Sequence, residues 1–231
     1  MQRRKTWKKF AMEFISIFVA VVSAFALNNW NDNRRDDQAA TKILTEIDNG
    51  LQQDLADIKL NIAGHINGIN ACRYWYKVLT DQPIPQDSLQ HYYLALTRDF
   101  FSAQNSSGYE TLKSRGLELL TNDSLRFAII SLYEYDYGSL KTMEENYFEM
   151  QFQENYFQDF NRLIAPSFTF DAAGQIAGIE LPLDISEADR KILLTYLWKI
   201  QVNRNFILYF YGDMEDKIQA ISQRIRAEIA D

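Results

Sequence analysis

The stretch FAMEFISIFVAVVSAFAL, residues 10–27, determines how the rest of this chain is interpreted. It is eighteen residues long and carries one charge, at Glu13. An α-helix of this length covers roughly 27 Å, about the thickness of the hydrocarbon core of a bilayer. Trp7 and Trp30 lie just outside its two ends, where indole rings favour the headgroup region. The pattern predicts one transmembrane helix over 10–27, with Trp7 and Trp30 as interfacial anchors in the lipid bilayer.

Charge is distributed unevenly on the two sides of this helix. Residues 1–9 contain five lysines and arginines and no acid, whereas Arg34 and Arg35 follow the helix among aspartates. Because positively charged flanks stay in the cytoplasm, we predict a single-pass protein of the bacterial inner membrane. Residues 1–9 form its cytoplasmic tail, and 28–231 form a periplasmic domain. The alternative is a cleaved signal peptide, since AFA at 24–26 fits a cleavage site.

Glu13 is an acidic residue within the predicted transmembrane helix, where a charged side chain is costly. It lies near the start of the helix, so its carboxylate can extend towards the headgroup region. The other interpretations are a protonated carboxyl, a pairing with another protein, or a ring of glutamates in an oligomer. The sequence leaves these alternatives open, and Glu13 is a candidate membrane-embedded polar site.

The composition suits one folded domain and excludes several functions. The chain has 231 residues, of which 47% are hydrophobic and 24% charged, as in ordinary globular proteins. Its formal net charge is −7, and the five cations of residues 1–9 leave −12 for residues 10–231. So acidic a domain repels phosphate backbones, and we expect no nucleic-acid partner. Cys72 is the single cysteine, which excludes an internal disulfide and a multi-cysteine metal site.

The residues after the transmembrane helix have the periodicity of further helices. Apolar residues recur every three or four positions from Leu44 to Ile69, which predicts a helix ending near Asp81. The prolines of QPIPQ at 82–86 predict a turn. Two short helices are predicted next, over about 87–101 and from Ser106 or Ser107 to Gly116. A longer helix is predicted from Asn122 or Asp123 to Ala165, and a bend at Gly138 is left open. The last helix is predicted over 187–229, and an interruption near Gly212 is left open.

The predicted fold is mainly α. The transmembrane helix continues into an elongated extracytoplasmic bundle of four or five helices, two of them long. Weak helix formers at 28–33 loosen the expected junction between the two parts. The glycine-containing stretch after Pro166 predicts an irregular connection or, at most, a small hairpin.

Three stretches resemble a bacterial family of unknown function. Glu13, an apolar run, Ala24 and NNWND at 28–32 resemble its opening, which reads G-E, an apolar run, A-L, two residues and N-N-W-N-E. ILTEIDNGLQQDL at 43–55 resembles its L-x-E-I-x-x-D-L stretch. GYETLKSRGLELLTNDSLR at 108–126 resembles its Y-x-x-L-x-x-S/T-G followed by I-x-N-x-x-L. The resemblance covers about the first 140 residues of the chain.

This sequence departs from the family pattern at three positions. Met12 and Ala20 stand where the family has glycine, and Arg115 stands where a small residue is common. The change at Ala20 puts close packing of transmembrane helices in doubt. The resemblance implies a membrane-anchored helical protein of the Gram-negative envelope, and it implies no activity.

Signatures of catalysis and of metal binding are missing from the sequence. His65 and His91 lack the Glu-x-x-His spacing of a dinuclear iron bundle, so we interpret them as a helix-face and a surface histidine. No G-x-S-x-G, phosphate-binding glycine loop or EF-hand appears. We therefore assign no catalytic residue, metal ligand or cofactor, and we expect a protein that is not an enzyme. The acids at Glu144, Glu145, Glu149 and Glu154 are interpreted as a solvated helix face rather than a cation site.

The segment YETLKSRG is the best candidate for specific recognition. Tyr109, Lys113, Ser114 and Arg115 are polar residues within a family-like motif, and they form a candidate ligand or partner site. A capped turn between helices is the structural alternative. Aromatic residues spaced four apart add a second candidate surface, which core packing also explains: Phe148, Phe152, Tyr156 and Phe160.

The leading functional hypothesis is a non-enzymatic envelope protein that binds another envelope protein or assembles with copies of itself. A homo-oligomeric channel with Glu13 facing the pore is the first alternative. A sensor that binds a small ligand near Tyr109 is the second. An enzyme without a recognised signature is the last.

Overall fold

A long N-terminal helix organises the whole molecule. The computed structural model describes the backbone of residues 2–230 and the side chains of residues 12–230, so the predicted anchor Trp7 lies outside the described side chains. Helix α1 runs unbroken from Gln2 to Leu79, 78 residues or roughly 117 Å. The weak helix formers at 28–33 do not interrupt it. Propagating a helix that continues on both sides costs little, and Asn28 donates to Asp32 at 3.0 Å one turn on.

The other elements are shorter, except for the last helix. They are α2 Leu89–Leu96, α3 Ser107–Arg115, α4 Asp123–Ser131, α5 Tyr137–Glu145, α6 Phe152–Ile164, a hairpin of β1 Phe168–Phe170 and β2 Ile176–Ile179, and α7 Glu187–Ala230. The strands are antiparallel, with Phe168 opposite Ile179. The prediction of a mainly α protein with a small hairpin is confirmed. Among residues 2–230 there are seven α-helical segments, of which α1 and α7 are long.

The long helix predicted from Asn122 or Asp123 to Ala165 is wrong in its second half. A π-helical turn, Leu132–Asp136, joins α4 to α5, and the chain then leaves the helix at Asn146. The break is fixed by a residue far away in sequence, because the Asp99 carboxylate accepts hydrogen bonds from the backbone N–H groups of Phe152 and Gln153 at 2.8 and 3.3 Å. A carboxylate at this position starts a new helix, α6.

Helix α7 packs antiparallel along the outer half of α1. Arg190, near its start, donates to the backbone oxygen of Leu79, and Arg226, near its end, pairs with Asp48 at 2.9 Å. Most of the apolar stripe of α1 is buried beneath α7 and the shorter helices, and Ile66 is its exposed member. Every side chain from 12 to 38 is exposed. This part of α1 therefore extends from the bundle as a single helix with no other described element packed against it.

Two glycines within long helices lie in opposite surroundings. A Cβ at Gly212 in α7 meets no atom within 4 Å, whereas a Cβ at Gly68 in α1 collides with the Arg204 side chain. We expect Gly212→Ala to raise the free energy of unfolding by about 0.5–1 kcal/mol, because alanine is the better helix former. Gly68→Ala should lower it by about 1–3 kcal/mol, because the buried Arg204 must move.

Chemical denaturation of the two variants and wild type in one detergent provides the measurement. Each substitution adds the same methyl group to a helix interior, so each controls for the other. A gain in stability at both positions would show that Arg204 is not held against α1.

Candidate functional site

The structure brings together two of the four polar residues predicted on α3. Tyr109 is buried, and its hydroxyl donates to Oε1 of Glu134 at 2.8 Å. Lys113 Nζ reaches the same oxygen at 2.8 Å. These two bonds lower the pKa of Glu134, with the Lys113 contact as the larger cause. The ring of Tyr133 stacks on that of Tyr109, with their centroids 4.6 Å apart. The cluster ties α3 to the π-helical turn.

The other two predicted residues point elsewhere. Ser114 donates to the backbone oxygen of Thr111 at 2.8 Å, which is a bond within α3. Arg115 is exposed at the last position of the helix, and Gly116 follows it with φ of 106°. The predicted end of α3 at Gly116 is confirmed. Within the cluster, Glu134 is the residue that the sequence did not single out.

The N-terminal part of α1 has the properties of a membrane helix. From Met12 onwards, α1 includes a window long and apolar enough to cross a bilayer, and none of that window is buried in the protein. Glu13 is exposed on this helix. Trp30 is also exposed, and the Arg34 guanidinium lies 5.7 Å from the centre of its ring.

An irregular segment, residues 97–106, packs against the bundle without regular secondary structure. It begins where α2 ends, so the helix predicted to reach about residue 101 stops at Leu96. Side chains from other elements bind its backbone. Asp54 accepts from the N–H of Asn105 at 2.8 Å, Asp57 from that of Ala103 at 2.9 Å, and Glu144 from that of Ser102 at 3.0 Å. These acids replace the partners that a sheet would supply.

Two of these acids are buried. Asp54 accepts a second bond from the Tyr137 hydroxyl at 2.6 Å, and Glu144 accepts one from the Tyr211 hydroxyl. Burial raises the pKa of both carboxyls, against the opposing effect of these hydrogen bonds. The interpretation of Glu144 as part of a solvated helix face is therefore wrong. It joins α5 to α7 and to the irregular segment.

Arg204 lies at the centre of the bundle and is fully buried. Its guanidinium donates to the backbone oxygens of Leu96 and Arg98, both at 2.9 Å. A third bond runs to Nδ1 of His65 at 3.1 Å, and the charge lies 4.2 Å from the centre of the Phe152 ring. Among the described residues, no carboxylate lies within 4.0 Å of Arg204. This cation is held by carbonyl oxygens and an aromatic ring.

His65 is a core residue rather than a helix-face histidine. It is 3% exposed and packs among the rings of Phe100, Phe152 and Tyr211. Burial, and then the charge of Arg204, lower its pKa to about 3. Burial lowers the pKa of Arg204 to about 10, so the guanidinium stays charged at neutral pH while the imidazole stays neutral. His91 is exposed, and its Nε2 pairs with Oδ1 of Asn67 at 2.9 Å, as expected of a surface histidine.

Aromatic residues of α6 belong to the core. Phe152, Tyr156 and Phe160 are buried, which confirms core packing, whereas Phe148 lies before α6 and is 68% exposed. Within residues 12–230, no group of three or more histidines, cysteines, aspartates or glutamates is arranged to hold a metal ion.

Between Ile200 and Gly212, the exposed side of α7 is largely apolar. We call this surface the α7 stripe; it consists of Val202, Phe206 and Tyr209, together with Tyr147 and Phe148 from the neighbouring turn. The rings of Tyr147 and Phe206 lie 6.3 Å apart, and Asn203 donates to the backbone of Glu149 at 3.1 Å. From Ile200 to Gly212 the single charged residue is Arg204, which is buried. The stripe therefore lies in a section of α7 without exposed charge.

A groove of about 630 Å³ opens between α1 and α7 at the end of the bundle farthest from the N-terminus. Cys72 and Leu197 lie buried at its base, and Tyr76 and Trp198 are exposed at its walls. The residues that complete it are Arg73, Lys77, Gln82, Leu194 and Gln201.

Comparisons with known proteins do not place this chain. No protein-family model matches it, and comparison with curated proteins and with solved structures gave no significant match. The resemblance to the bacterial family of unknown function therefore stays a prediction.

Proposed function

We propose that this protein is a single-pass protein of the bacterial inner membrane whose periplasmic bundle pairs with a second copy through the α7 stripe. The observation that carries the proposal is an exposed aromatic surface, centred on a section of α7 without exposed charge, on an otherwise acidic domain. Aromatic enrichment and depletion of charge characterise the centres of protein interfaces. Large exposed apolar patches mark interaction sites.

The stripe has the size that a stable pair needs. Tyr147, Phe148, Phe206 and Tyr209 are 43%, 68%, 42% and 75% exposed. With about 200 Å² per aromatic side chain, they offer about 450 Å² of largely apolar surface. A standard interface buries about 800 Å² per partner, of which somewhat more than half is apolar. The stripe alone supplies that apolar share.

A second copy of the chain is the partner that best fits the predicted transmembrane helix and the negative charge of the domain. Copies held in one membrane by the same helix stand parallel, and α7 runs along α1, so the stripe lies at the same height on each copy. A two-fold axis along the membrane normal brings the two stripes face to face. Two domains of charge −11, over residues 28–231, repel each other over most of their surface, whereas the section of α7 that carries Val202, Phe206 and Tyr209 has no exposed charge to repel a second copy.

A cysteine beside the stripe tests this pairing. Asn205 is exposed between Val202 and Tyr209, and the native Cys72 is buried. We expect Asn205→Cys to give a symmetric covalent dimer when intact spheroplasts are treated with a membrane-impermeant bis-maleimide. Leu60→Cys, exposed on α1, is the matched control and should give little dimer. Adding Tyr209→Glu to Asn205→Cys should reduce the dimer at least fivefold, because it buries a charge in the interface.

The cross-linking results distinguish the pairing of two copies from the predicted periplasmic location of the domain. Cross-linking at position 205 only after the membrane is permeabilised would contradict the periplasmic location and leave the pairing intact. Equal cross-linking at positions 205 and 60, or none at position 205 under either condition, would contradict pairing through the α7 stripe.

A further inference from the structure

The groove between α1 and α7 has the composition of a small-molecule site, and this inference is independent of the pairing proposed above. Its base and walls are apolar or aromatic, from Cys72, Leu194, Leu197, Tyr76 and Trp198. Its volume of about 630 Å³ lies within the range of ligand sites, which combine such walls with a few polar groups.

The polar groups of the groove include two cations. Arg73 and Lys77 stand one turn apart on α1. Arg73 donates to Asn70 at 3.0 Å, and among the described residues neither cation has a carboxylate within 4.0 Å. Several other lysines of the domain have a carboxylate partner, as Lys217 has in Asp136 at 2.8 Å, whereas Lys42 and Lys199 have none within 4.0 Å in the described part of the chain. Arg73 and Lys77 are thus two neighbouring cations available to an anionic ligand, in a domain whose residues 28–231 carry a formal charge of −11.

The position of the groove excludes the lipids of the membrane as its ligand. Forty-five residues of unbroken helix separate Leu27, at the end of the predicted transmembrane helix, from Cys72. At 1.5 Å per residue that distance is roughly 65 Å, far beyond the reach of a headgroup. A ligand of this groove comes from the aqueous space around the bundle.

We infer that the groove binds a small amphipathic anion, with its apolar body on Leu194, Leu197 and Trp198 and its carboxylate or sulfonate at Arg73 and Lys77. The side-chain amides of Gln82 and Gln201 stand at the same groove as further hydrogen-bond donors. Binding is non-covalent, because burial raises the pKa of the Cys72 thiol to about 12 and keeps it protonated.

Octanoate is the probe, titrated against the full chain in phosphatidylcholine nanodiscs, with empty nanodiscs subtracted. Binding is followed by isothermal calorimetry, and by tryptophan fluorescence with Trp198→Phe to assign the signal to the groove. We expect saturable binding of octanoate and at least tenfold weaker binding of octylammonium, which has the same chain and the opposite charge. The double variant Arg73→Gln, Lys77→Gln should weaken octanoate binding at least tenfold, because it removes two charge-assisted contacts.

Lys199→Gln removes an exposed cation that lies on the same turn of α7 but does not line the groove, and it should leave octanoate affinity within twofold of wild type. Thermal melting of each variant shows whether it is folded. Absence of saturable octanoate binding, equal binding of octylammonium, or unchanged affinity in the double variant would overturn the inference. Cross-linking at position 205 on the same preparation reports on pairing separately, so failure of either idea is recognised without the other.

Discussion

Replacing Arg204 with alanine is expected to lower the free energy of unfolding by about 4 kcal/mol. The change removes the donors for two backbone oxygens, those of Leu96 and Arg98, and for Nδ1 of His65. Each buried acceptor that loses its donor costs about 1–3 kcal/mol. The side chain also fills the space between Gly68 and Phe152, and its removal leaves a cavity. Loss of the buried charge offsets part of this cost.

Chemical denaturation followed by the fluorescence of the buried Trp75 gives the measurement. Lys199→Ala is the control on the same helix, where the side chain is exposed, and should change stability by less than about 0.5 kcal/mol. Arg204→Lys keeps a charge but loses the planar fork of donors, so it should fall between wild type and Arg204→Ala. A loss below about 1 kcal/mol for Arg204→Ala would mean that the irregular segment is held by its acids alone.

The long helices could be predicted because their information is local. Eighteen apolar residues and the stripe from Leu44 to Ile69 both follow helical periodicity, and α1 contains both. The same holds for α7, whose apolar residues recur at helical spacing across Gly212. A single glycine costs about 1 kcal/mol in a helix, too little to break one that is packed along α1.

The break between α5 and α6 could not be predicted, because its cause is distant in sequence. The cap of α6 comes from Asp99, 53 residues before Phe152, and local periodicity contains no trace of it. The buried polar network is similar, since Arg204 binds Leu96 across 108 residues. One local signal existed. Arg204 follows Ile200 by four residues and precedes Ile207 by three, so it occupies a core position of α7.

The candidate α3 site was predicted in part. Tyr109 and Lys113 are one turn apart, so any helix places them on one face. Their shared partner, Glu134, is 21 residues beyond Lys113 in the π-helical turn, and no spacing rule connects the two. The α7 stripe was not predicted either, because periodicity alone does not show which apolar face of a long helix stays uncovered.

The second large effect concerns acid. The contribution of His65 to folding stability should fall as pH falls below about 6.5, because His65 is protonated more readily in the unfolded chain. Its pKa is about 6.5 in the unfolded chain and about 3 in the folded protein, so between these values the unfolded state binds more protons. Arg204 donates to Nδ1 of His65, and a proton there would replace a hydrogen bond with repulsion between two cations. The contribution is fully present above pH 6.5 and is lost towards pH 3.

Other groups near His65 titrate in the opposite sense. Burial raises the pKa of Glu144, which binds the neighbouring Tyr211, and that of Asp99, which caps α6, so these folded carboxyls take up protons more readily than unfolded ones. Asp54 behaves in the same way. Phe100, Phe152 and Tyr211 surround the imidazole itself and carry no charge at these pH values, and the Cys72 thiol stays neutral. The acids therefore reduce the net pH dependence of the wild type.

Comparison with His65→Gln isolates the histidine, because the acids are common to both proteins. The glutamine oxygen can accept the bond from Arg204 and has no proton to gain. Between pH 6.5 and pH 4.5, the stability of wild type relative to His65→Gln should fall by about 2 kcal/mol, because the slope approaches about 1.36 kcal/mol per pH unit once the unfolded histidine is mostly protonated. His91→Gln changes an exposed histidine and should show no such trend. If the free energies of unfolding of wild type and His65→Gln changed with pH in parallel, the imidazole would take up its proton as readily in the folded protein as in the unfolded chain. That result would contradict the contact between Arg204 and Nδ1 of His65.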